Sequence, residues 1–64
     1  MDRPAALEIL GSAERAALIT LTLHEQLVDK GHPDLARLAW VVYMGASTAA
    51  EKLGADLGIE VLVA

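Results

Sequence analysis

Two histidines, His24 and His32, are the side chains of this 64-residue chain best suited to proton or metal chemistry near neutral pH. His24 falls on an apolar helical stripe. There it suits a pH-sensitive or ligand-binding residue, or a neutral histidine hydrogen-bonded inside a core or interface. The second role fits its surroundings better. Glu25 follows it directly, but neighbours on a helix point about 100° apart. The run "HEQLV" lacks the closing histidine of a His-Glu-x-x-His zinc site. With no cysteine in the chain, thiolate metal sites and disulfides are excluded. No metal or cofactor is expected, although two copies of His24 could meet across a dimer axis. His32 reads as a loop or cap residue.

Nucleophilic chemistry has no support. Ser12 suits a helix cap. Thr20, Thr22, Ser47 and Thr48 fall in mid-helix, where hydroxyls bond their own backbone. The carboxylates are scattered over polar faces, whereas acid–base work needs them paired in a dry pocket. Gly45, Gly54 and Gly58 do not follow a strand into a helix as a phosphate loop requires. The sequence therefore predicts no catalytic residues and no enzyme.

The elements that would position these residues are helices. Pro4 opens a short helix over about 4–10, and the pair Gly11–Ser12 reads as a stop followed by a start. A second helix spans about 13–30, closed by Gly31. One helix from 4 to 30 is the competing reading, because Leu7, Leu10, Ala17, Leu21 and Val28 keep heptad spacing through the break. Pro33 and Asp34 open a third helix over 33–54, with Gly54 and Gly58 as possible stops. The short "KGHP" connection makes the two long helices antiparallel neighbours. The β-branched tail 59–64 reads as extended. The fold class expected is all-α: an antiparallel helical hairpin, a short N-terminal helix before it, an apolar tail after it, and a bundle completed by oligomerisation.

On the third helix, Leu35, Ala39, Val42, Ala46, Ala49 and Leu53 form one seam at spacings of 4 and 3. That seam is expected to meet the second helix, whose matching face holds Ala13, Ala17, Leu21, Leu27 and Val28. Yet Trp40, Val41 and Met44 fall elsewhere on the third helix, and Leu18 and Ile19 widen the apolar arc of the second. Tryptophan and methionine are enriched in interface cores. These five residues are the expected interface.

Composition agrees. Hydrophobic residues make up 55%, but twelve of them are alanine and none is phenylalanine. Small side chains favour close helices with several neighbours. A domain this short buries only about 60% of its unfolded surface and usually needs a staple. Here the expected staple is a second copy, a dimer being favoured, and the layout is similar to small helical-hairpin dimers in general. A compact monomer covering its own extra face is the first alternative, and a higher oligomer or obligate heteromer the second.

The net charge is −4, and the five cations at 3, 15, 30, 37 and 52 are widely spaced. Nucleic-acid binding needs clustered positive charge, so a helix-turn-helix reading is secondary. The longest uncharged run, Leu38 to Ala50, is too short to cross a bilayer, and no secretory leader is legible. The chain reads as cytoplasmic. The closing "LVA" resembles the ends of bacterial degradation tags, though an apolar tail docked in an interface explains it better. The functional expectation is a small interaction protein: a self-associating regulator, adaptor or assembly subunit that binds a protein partner through an apolar helix face. A ligand- or metal-binding bundle centred on His24 is a further alternative.

Overall fold

The computed structural model describes residues 2–59, which form an all-helical antiparallel hairpin. Helix α1 spans Arg3–Asp29 and helix α2 spans Pro33–Leu57. Among the described residues there is no strand. The expected tail lies outside them, apart from Ile59.

Helix ends follow from local chemistry. The Asp2 carboxylate accepts the Ala5 N–H at 2.8 Å, satisfying one donor that the first turn leaves unpaired. Gly31 ends α1 with φ 79°, a left-handed conformation that a Cβ disfavours. Around it the His32 N–H bonds the Leu27 carbonyl and the Gly31 N–H bonds the Val28 carbonyl. This is a Schellman cap. Gly58 repeats it with φ 70°, and the Ile59 N–H reaches the Gly54 carbonyl. Pro33 then restarts the chain without a side-chain cap, since His32 makes none.

The expected break at Gly11–Ser12 does not occur: α1 runs straight through it. One interior glycine costs a helix only about 1 kcal/mol against alanine, and packing on α2 continues across the site. Ser12 caps nothing. Its hydroxyl donates to the Glu8 carbonyl one turn back and accepts from Arg15 Nη2. Likewise α2 continues past Gly54, which is buried, and ends at Gly58.

The seam between the helices is made of small residues. Ala6, Leu10 and Ala17 are buried on α1, and Ala36, Ala39, Ala50 and Gly54 on α2. Leu10 is the one large apolar side chain in this buried set. The α2 seam expected from the sequence is therefore rotated. Leu35, Val42 and Ala49 are exposed, and their places are taken by Ala36, half-buried Tyr43 and Ala50. Val28 also leaves the expected α1 face and is exposed. Turning the small residues inward lets the helices approach closely, at the cost of leaving the large ones outside. At the open end, Arg3 Nη1 donates to the Leu57 carbonyl at 3.2 Å.

Candidate interaction surface

A two-helix layer has two broad sides and two outer backs. Wheel positions at about 100° per residue assign the side chains among them. On one side, Ile9, Leu23 and half-buried Leu27 project from α1, and Leu35, Leu38 and Val42 from α2. Leu38 is 63% exposed. Leu23, Leu27, Leu35, Leu38 and Val42 line a recess of about 420 Å3 between the helices near the loop. No charged residue falls on this side between Ile9 and Leu27 or between Leu35 and Leu53. It is called the leucine side below.

The opposite side carries Leu7, Leu18, Trp40 and Met44 together with Glu14, Glu25, Arg37 and Glu51. Trp40 is 40% exposed and packs against His24, ring centroids 5.1 Å apart. Its other neighbour is Tyr43, at 5.0 Å. His24, Val28, Pro33, Arg37 and Trp40 frame an open recess of about 350 Å3.

His24 is half-buried, and its Nδ1 lies 2.9 Å from the Ala36 carbonyl oxygen. A carbonyl only accepts, so Nδ1 carries the proton in this contact. Alanine at 36 is what lets an imidazole from the other helix reach the α2 backbone. The ring thus ties one helix to the other. Among the described residues, no group of three or more His, Cys, Asp or Glu is placed to hold a metal ion.

Of the five interface residues expected from the sequence, all are exposed, but they do not share one surface. Leu18, Trp40 and Met44 fall on the charged side. Ile19 lies on the back of α1, where Leu18, Thr22 and Gln26 border it. Val41 lies on the back of α2. The leucine side was missed as a surface of its own. The signal for it was present: Leu35, Leu38, Val42 and Ala49 are spaced 3, 4 and 7 with no charge among them.

No protein-family model, no curated protein and no solved structure matches the chain. Among the described residues, no helix is long and apolar enough to cross a membrane.

Proposed function

We propose that the chain is a small, non-enzymatic helical interaction protein that pairs with itself and offers an apolar helix face to a protein partner. Regulator, adaptor and assembly subunit are the roles that fit. One observation carries the reading. The hairpin builds its own seam mainly from alanine and, among the described residues, leaves twelve large apolar side chains exposed, from Leu7 to Met44. Removing each such side chain from water is worth about 1.5–3 kcal/mol. A two-helix unit has only one internal contact from which to draw stability, so a second layer of helices changes its balance substantially.

The proposed state is a homodimer in the cytoplasm. The partner-facing surface is the side of Leu18, Trp40 and Met44, where the apolar residues are bordered by charge as at the rim of a protein interface. Nucleic acid is not proposed, because Arg3, Arg15, Lys30, Arg37 and Lys52 form no cluster along the chain.

Light scattering across a concentration series tests the pairing. The expected mass is twice 6.8 kDa. A particle of 6.8 kDa persisting at high concentration overturns the reading.

A further inference from the structure

We infer that the second copy docks on the leucine side, turned end for end, so that the leucine cluster of each copy fills an alanine saddle on the other. This rests on the reading that the chain pairs with itself, and it assigns that pairing to one face and one orientation.

Charge selects the face. Each copy carries −4, so two copies repel wherever their carboxylates meet. Turned end for end on the Trp40 side, Glu14 of each copy would approach Glu25 of the other, and Arg37, which falls near Glu51 of the other copy, would offset neither. The leucine side brings no charge between Ile9 and Leu27 or between Leu35 and Leu53. From Ile9 to Leu27 it offers a strip about 27 Å long that can be desolvated without stranding a charge.

Volume selects the orientation. Near the loop the side is bulky, with Leu23, Leu35, Leu38 and Val42 exposed. Further from the loop it is shallow: Ala13 and Ala16 on α1 face the same way as Ala46 and Ala49 on α2. The bulky and shallow zones are centred about nine residues apart, roughly 13 Å along the helix. Two copies aligned loop to loop would set leucine against leucine and leave facing alanines apart. Two copies reversed about a two-fold axis set large on small, as close-packed layers require. The axis midway between the zones passes near Thr20 and Val42. Position 42 therefore approaches its own copy.

The absence of cysteine makes this testable with a single thiol. A Val42→Cys variant treated with a short bifunctional maleimide should convert to covalent dimer. Val41→Cys and Ile19→Cys, on the outer backs, should stay uncross-linked. Leu38→Glu should halve the mass seen by light scattering while Met44→Glu leaves it unchanged. A wild-type dimer in which Val42→Cys fails to cross-link, or in which Met44→Glu dissociates the pair and Leu38→Glu does not, overturns the assignment of face. A wild-type chain that weighs as a monomer overturns the pairing itself.

Discussion

His24 and Trp40 meet across the hairpin, one from each helix, with ring centroids 5.1 Å apart and planes inclined by 51°. The same imidazole donates to the Ala36 carbonyl at 2.9 Å. In a seam built mostly from small residues, this residue supplies both an aromatic contact and a polar tie between helices. Its place on an apolar stripe was legible in the sequence. Its partners were not, because they depend on which face of α2 turns inward.

Substitution at His24 separates the two contributions. His24→Phe keeps a ring beside Trp40 and loses the donor. The Ala36 carbonyl keeps its place in the helix ladder, so the loss should be about 1 kcal/mol. His24→Ala loses the ring contact as well, and the total should be about 2 kcal/mol. Urea unfolding at fixed protein concentration measures both, and tryptophan emission should shift only in the alanine variant. Equal losses for the two variants would show that the hydrogen bond contributes everything.

The seam predicts a second asymmetry. Ala17 and Ala50 are fully buried, at 0% exposure, whereas Ile19 is 67% exposed. Ala50→Leu must force the helices apart or distort their rotamers, and should cost about 1–3 kcal/mol. Ile19→Ala removes a larger side chain from the outer back of α1 and should change stability by no more than about 0.5 kcal/mol. Thermal unfolding checks the pair. A tolerated leucine at 50 would mean that the helices are not held closely there.

These packing details mark where sequence reasoning stopped. The hairpin itself follows from Gly31 and Pro33, whose backbone preferences are local and strong. Which stripe of α2 faces inward is not local. Leu35–Ala39–Val42–Ala46 and Ala36–Ala39–Tyr43–Ala46 have nearly the same spacing, and both are apolar. Side-chain volume decides between them: alanine at 36 and 50 and glycine at 54 permit close approach, which leucine at 35 and 53 would oppose. The expected break at Gly11 failed for a related reason. Glycine and serine are punctuation only where tertiary packing does not continue through them, and Leu10 and Ala17 pack on either side. The split of Leu18 from Ile19 and of Trp40 from Val41 follows from helix geometry alone, since adjacent residues point about 100° apart.

Capping at the start of α1 gives a third prediction. The Asp2 carboxylate accepts the Ala5 N–H, and Arg3 bridges to Leu57 at the far end of α2. Asp2→Ala should cost about 1 kcal/mol through the lost cap. Arg3→Ala should cost less, because its bond is exposed. Hydrogen exchange should show the fraying confined to the first turn of α1 in the Asp2 variant. Loss of protection along the whole hairpin would mean that the first turn opens only together with the rest of the fold.

Two glycines with open space around them should respond in opposite directions. Gly45 lies inside α2 with an ordinary helical φ, and a Cβ there meets nothing within 4 Å. Gly45→Ala removes unfolded-state freedom without a clash and should stabilise by about 0.5–1 kcal/mol. Its side chain lies on the outer back of α2, away from both broad sides, so pairing should be unaffected. Gly31 also has open space around its would-be Cβ, but its φ of 79° is the left-handed region. Gly31→Ala must strain that conformation or unwind the Schellman cap, and should destabilise by about 1–2 kcal/mol. Melting temperatures at one concentration compare them directly. A Gly45→Ala variant that melts lower than wild type would place a close neighbour at the back of α2, and with it a contact that neither the hairpin nor the proposed dimer contains.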